Sequence, residues 1–312
     1  MNNVIEIKGL HKSFGDIHAV NDVSFSVERG SLFAFLGVNG AGKSTTISMM
    51  CGQLTPDGGE IVIDGKDLFS DAESIKSVLG VVFQGSVLDK PLSVTDNLRY
   101  RAALYGICGE AFDKRIEELS ELLDMGNILK RPYGKLSGGQ KRKADIARAL
   151  LHSPKILILD EPTTGLDPQT RKTVWEVISH LRKNEGITVF LTTHYMEEAA
   201  DADRVVIIDS GKLVAEGTPI ELKNRYTGDF ITLYGKTEQE VTALDYPYER
   251  VGDGFRIKVD NTAAATELIL KYPQMFSDYE IVKGKMDDVF LAATGKRLGA
   301  DENEGKKKGG KK

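Results

Sequence analysis

No stretch of this chain holds the ~18–20 consecutive apolar residues that a membrane-spanning helix needs. Apolar runs such as Ile156–Leu159 and Val205–Ile208 are strand-sized. The opening residues, MNNVIEIKGL, lack a basic region followed by an apolar one, so no secretory signal is expected. Cysteine is scarce. Cys51 and Cys108 are the only two and lie far apart, which argues against a disulfide framework and fits reduced thiols in a cytosol. Positive charge is not in excess: the formal net charge is −5, so no global basic field invites nucleic acid. What is present is ordinary for a folded globular chain. The 312 residues are 41% hydrophobic and 28% charged, enough for one large domain or two modest ones.

The rest of the chain is organised around Ser31–Gln53. Leu32–Leu36 is a short apolar run stopped by glycine, which predicts a buried strand. Gly37-Val38-Asn39-Gly40-Ala41-Gly42-Lys43-Ser44 then fits G-x-x-x-x-G-K-[ST]. Glycines let such a loop turn its N–H groups inward as a nest for phosphate oxygens. Lys43 adds a point charge for the β- and γ-phosphates, and Ser44 a hydroxyl for Mg²⁺. A helix is predicted from Thr45, with its positive end on the anion.

Hydrolysis of a nucleotide also needs a carboxylate for the metal and a group that activates water. Asp160 and Glu161 follow the apolar run Ile156–Leu159, at the C-terminal end of a predicted buried strand. Asp160 suits the metal and Glu161 the general base. Gln84, at the end of the predicted strand 78–84, suits Mg²⁺ or the attacking water. His194, just past the strand 188–193, suits a hydrogen bond to the γ-phosphate. Ser137-Gly138-Gly139-Gln140 opens a helix with capping-box spacing and makes a second anion site from bare N–H groups. Two such sites with only one Lys and one metal set make sense if the second faces a neighbouring copy's nucleotide.

Strands alternating with helices imply an α/β fold with a largely parallel, doubly wound sheet. Alternation in 4–10 and 23–27 predicts an N-terminal antiparallel β subdomain, with a turn at 12–16. Pro56–Glu60 is read as a turn, and helical spacing in 85–135 as an inserted helical subdomain. The pattern resets near 225. Residues 226–295 are expected to form a small α+β appendage, and 296–312 a disordered basic tail.

In order and spacing, the loop at 37–44, Gln84, LSGGQ at 136–140, ILILDEP at 156–162, GLD at 165–167 and His194 resemble the ATP-binding-cassette (ABC) family. The resemblance covers residues 1 to about 223 and implies an ABC-type nucleotide-binding domain over 1–225, a P-loop NTPase that hydrolyses ATP with Mg²⁺. It implies ATP contacts by Asn39, Gly40, Ala41, Gly42, Lys43, Ser44 and Thr45. It gives Ser44, Gln84 and Asp160 to the metal, and catalytic roles to Glu161, His194, Gln84 and Lys43. Phe14 would stack on adenine, although Tyr is more usual there. Ser137, Gly138, Gly139 and Gln140 would meet the nucleotide of a second copy, or of a paralogous cassette. THYMEEAADADRVVIIDSGKLVAEGTP at 193–219 and DDVFLAATG at 287–295 are similar to single-cassette subunits of ABC-2 type exporters. That implies a separate transmembrane permease, docked by the helical insert, and a cytoplasmic place on the inner face of the membrane. No nucleic-acid partner is expected. The alternative is a soluble cassette ATPase acting on nucleic acid or ribosomes, but such members usually carry tandem cassettes or a long coiled coil.

Overall fold

The computed structural model describes residues 3–295, so the basic tail at 296–312 lies outside the described residues. Contact density divides the chain into two compact units. One holds the chain up to Tyr195 with Asp201–Leu213, and the other holds Met196–Ala200 with the chain from Val214. The contact boundary thus falls earlier than the change in sequence pattern near 225.

The first unit opens with β1 (Asn3–Phe14) and β2 (Ile17–Glu28), an antiparallel pair. Its turn is only Gly15-Asp16, shorter than the expected 12–16, because Phe14 pairs with Ile17 and extends the ladder. Next come β3 (Leu32–Leu36) and α1 (Lys43–Met50). β4 (Gly58–Ile63) and β5 (Lys66–Asp67) complete a four-stranded sheet in the order β2-β1-β4-β5. Gly58–Glu60, expected in a turn, therefore begin a strand: Lys8 pairs with Glu60 and His11 with Gly58.

α2 (Ala72–Lys76) and β6 (Leu79–Val82) precede the helical insert, α3 (Val94–Ala103) and α4 (Glu110–Leu122). Tyr105 continues the helical spacing of Leu98 and Ala102 in the sequence but lies beyond α3, its ring stacked on His152 with centroids 4.0 Å apart. Then follow α5 (Gly138–Leu150), β7 (Ile156–Asp160), α6 (Pro168–Glu185), β8 (Thr188–Thr193), β9 (Arg204–Asp209) and β10 (Lys212–Gly217), the last of which begins in the first unit and ends in the second.

The six-stranded sheet runs β10-β9-β3-β8-β7-β6, and the strands from β9 to β6 pair parallel with one another. All residues of β3, β7 and β8 are buried, as expected of strands covered on both faces. Phe25 reaches this core from β2, its ring 5.2–5.9 Å from those of Phe33, Phe35 and Phe190.

The second unit begins with Met196–Ala199, in the acidic stretch after His194 that reads as a short helix; it forms a single 3₁₀ turn. It continues with α7 (Pro219–Tyr226), β11 (Asp229–Tyr234), α8 (Glu238–Thr242), β12 (Tyr248–Val251), β13 (Gly254–Val259), α9 (Thr262–Lys271), β14 (Tyr279–Lys283) and α10 (Met286–Thr294). Its antiparallel sheet is ordered β12-β13-β11-β14, and Ile231, Leu233, Ile257 and Leu268 lie in its core. Among the described residues, no helix is long and apolar enough to cross a membrane.

Candidate active site

Parallel register brings the predicted residues to one edge. Leu36 pairs with Thr193, Asp160 with Thr192, and Val82 with Leu159. The chain therefore leaves β3, β8, β7 and β6 on the same carboxyl side, where open α/β sheets hold their ligands. The loop after β3 enters α1 through Gly42, whose φ of +110° no other residue adopts comfortably. A Cβ there would stand 2.4 Å from the Ala19 carbonyl oxygen. No side chain caps α1, so its first N–H groups are left to a ligand.

Lys43 is 4% exposed, and its ammonium donates to the carbonyls of Gly37 at 2.7 Å and Val38 at 3.2 Å. It also lies 3.5 Å from Glu161 Oε1. Burial lowers the Lys43 pKa, with Glu161 opposing that shift. Asp160, also buried, is pushed upward chiefly by desolvation, while the Thr192 hydroxyl donates to its Oδ1 at 2.6 Å.

Glu161 sits in the left-handed region at φ +47°. That conformation costs a non-glycine residue about 1–3 kcal/mol and persists only where its surroundings impose it. Here the Glu161 N–H donates to the Thr192 carbonyl at 3.1 Å and approaches Thr192 Oγ1 at 3.2 Å. The Arg142 guanidinium donates to the Glu161 carbonyl at 3.0 Å. Around the carboxylate, Oε2 accepts from Gln84 Nε2 at 3.3 Å and Thr164 Oγ1 at 3.2 Å. His194 Nδ1 is 3.2 Å from the same oxygen but is not aligned to hydrogen-bond with it. Gln84 itself lies two residues beyond β6 rather than at its end, on an exposed turn.

A cavity of about 320 Å³ opens between these groups, lined by Ala19, Asn39, Gly40, Gly42, Lys43, Ser44, Thr45, Gln84 and Glu161. A buried ammonium, an uncapped helix start and a glycine loop too tight for a Cβ at Gly37 and Gly42 fit a polyphosphate. Ser44 and Gln84 line the cavity, and Asp160 stands at the strand end beside them. Among the described residues no group of three or more His, Cys, Asp or Glu side chains surrounds a metal position. A hydroxyl, an amide and one carboxylate fit Mg²⁺, which takes its remaining ligands from phosphates and water.

Several predicted contacts do not line this cavity: Ala41 is buried within the loop, and His194 is linked to the site through Glu161. Phe14 is 51% exposed at the β1–β2 turn, with Lys12 Nζ 5.8 Å over its ring. Ser137 and Gly138 are exposed at the start of α5, where Ser137 and Gln140 form the expected capping box.

A family model described as "ABC transporter" matches residues 20–164. A Nod factor export ATP-binding protein I of Rhizobium sp. (strain N33) is 35% identical over 308 residues, covering 94% of this chain and 98% of that protein. This chain belongs to the ABC transporter family. It is an ATP-binding subunit with the P-loop NTPase fold of an ABC ATPase. The probable multidrug ABC transporter ATP-binding protein YbhF of Escherichia coli (strain K12) is 42% identical over 226 residues, or 72% of this chain. The chain spans only 39% of YbhF's length. Among solved structures, cbiO1 from Clostridium perfringens superposes with a TM-score of 0.66 at 29% identity, covering 71% of this chain and 91% of its own. The dimeric cassette MJ0796 bound to ADP and Pi gives a TM-score of 0.63 at 26% identity, covering 69% of this chain and 98% of its own.

The ABC site holds two residues that the sequence does not single out. Thr192 is a polar residue inside a fully buried strand, a signal that a closer reading finds. Arg142 hides in the run Lys141-Arg142-Lys143, where a solvated cation and a buried one look alike.

Proposed function

We propose that this chain is the ATP-hydrolysing motor of an exporter, pairing through ATP with a second copy or a paralogous cassette to drive a separate membrane subunit. The observation that carries the reading is the convergence of Lys43, Gln84 and Glu161 on one cavity at the carboxyl edge of the sheet, with His194 Nδ1 3.2 Å from the Glu161 carboxylate. The names of its multidrug and Nod factor export relatives support the outward direction. The alternative, action on nucleic acid or ribosomes, finds no support in these relatives.

In this reading the glycine loop from Asn39 to Thr45 holds the phosphates, and Lys43 exchanges its contact with Glu161 for phosphate oxygens. Ser44, Gln84 and Asp160 would hold Mg²⁺. When bound, the cation would offset the negative charge of the phosphates. Glu161 takes a proton from the attacking water, and His194 donates to the γ-phosphate. Phe14 offers an aromatic face to adenine. Exposed Ser137 and Gly138, with half-buried Gly139 and Gln140 behind them, address the nucleotide held by the partner cassette, which the dimeric form of a solved relative supports. The permease provides the place at the inner face of the membrane.

Glu161→Gln tests the assignment. It should lower phosphate release by about a hundredfold or more, the range a general base contributes. ATP binding should survive, and an ATP-bound pair should accumulate. Undiminished hydrolysis in this variant contradicts the role given to Glu161.

A further inference from the structure

We propose that Arg142 is a positioning residue for hydrolysis: its guanidinium locks the backbones of Glu161 and Gln84 together, so their geometry follows α5. The inference rests on Glu161 being the general base.

Arg142 springs from the first turns of α5, five residues after its cap Ser137, and is 6% exposed. Nη2 donates to the Glu161 carbonyl at 3.0 Å, and Nη1 to the Phe83 carbonyl at 2.9 Å. Phe83 is the residue before Gln84. One rigid planar fork therefore spans the segment after β7 and the segment after β6. Those segments are the ones whose side chains meet, Gln84 Nε2 on Glu161 Oε2 at 3.3 Å. The first segment carries the left-handed backbone of Glu161, a conformation that needs outside support. Thr192 holds its N–H, and Arg142 holds its carbonyl.

A guanidinium suits this task and an ammonium does not. The fork presents two donors at a fixed spacing, whereas a lysine is a flexible point charge. Asp145, one turn further along α5, is held by Ser86 at 2.6 Å and Tyr133 at 3.2 Å. It compensates the buried cation while leaving both donors to the carbonyls. Because α5 begins at the exposed pair Ser137-Gly138, a shift of that helix reaches Glu161 and Gln84 through one side chain. The device makes the water-activating geometry report the position of the surface proposed to meet the partner's nucleotide.

The test uses the full chain with Arg142→Lys, Arg142→Gln, Arg142→Ala and Glu161→Gln, each measured for phosphate release and for binding of a fluorescent ATP analogue with Mg²⁺. Both Arg142→Lys and Arg142→Gln should lower kcat between about tenfold and a hundredfold, the cost of slight misplacement at a reacting centre. KM and the dissociation constant should stay within about twofold, since neither carbonyl binds phosphate. Millimolar guanidinium should restore part of the turnover of Arg142→Ala. Should Arg142→Gln fail to fold, Arg142→Lys, which keeps the charge, decides. A merely structural Arg142 lowers the urea midpoint, leaves kcat per folded molecule unchanged and gives no guanidinium rescue; that result overturns the proposal. Glu161→Gln separates the two readings. Full turnover there removes the base assignment, whereas its loss beside full turnover in Arg142→Lys and Arg142→Gln overturns only the positioning role.

Discussion

At Asp64 two cations meet one carboxylate. Arg29 donates to Oδ1 at 2.5 Å and Lys155 to Oδ2 at 2.9 Å, and the residue turns the β4–β5 hairpin at φ +49°. Hydrogen bonds from Arg29 and then Lys155 hold its pKa below 3.8. A carboxylate whose folded pKa is depressed adds stability above its unfolded pKa, and that stability is lost as pH falls through the folded value. Asp64→Asn keeps a residue that tolerates positive φ and removes only the charge. It should cost about 0.5–1 kcal/mol at pH 7, the scale of a partly exposed ion pair. In urea titrations that difference should shrink once pH drops below 3.8. A difference independent of pH would assign Asp64 a role in the turn alone.

At the scale of elements, glycine decides how closely α5 approaches α6. A Cβ on Gly139 would stand 2.5 Å from Thr170 Cγ2 and 2.8 Å from its Oγ1. Thr170 cannot easily move aside, because its hydroxyl donates to the α6 cap Asp167 at 2.6 Å. Gly139→Ala should therefore destabilise the chain by about 1–3 kcal/mol, as overpacking does. Adding Thr170→Ala should recover part of the loss, read as a coupling in a double-mutant cycle of urea midpoints. Additive losses would mean that the two helices separate freely.

The strands of the first unit were legible because burial on both faces makes them short apolar runs, as in Leu32–Leu36 and Ile156–Asp160. Edge strands were not: Tyr279–Lys283 has exposed residues at four of five positions and so no alternation to read. Helix α7 left a signal that was passed over, Thr218-Pro219 with Glu221 three residues after the cap, which the structure closes into a capping box. In the site, the glycine loop and the strand-end carboxylates were visible because their chemistry fixes residue types. The forks and hydroxyls that hold the backbone, Arg142 and Thr192, were not, because they act on carbonyls and N–H groups that every residue carries.

For the whole molecule, the cavity and the α5 start divide the work. The cavity is built by residues of one chain, while Ser137 and Gly138 face outward without lining it. Gly138 has room for a side chain, its nearest neighbour to a new Cβ being Leu166 at 4.0 Å. Gly138→Asp should then fold and bind ATP with little change. Its new carboxylate would repel the partner's phosphates, so pairing and turnover should fall together, measured by sedimentation and phosphate release. Turnover retained in Gly138→Asp would place the α5 start outside the reaction.

The most direct measurement is the solution mass of Glu161→Gln by sedimentation, with and without saturating ATP and Mg²⁺. A nucleotide shared between two cassettes predicts a mass that doubles when ATP is added and returns to that of one chain when ATP is removed. A single-chain mass under saturating nucleotide, with ATP demonstrably bound, contradicts it.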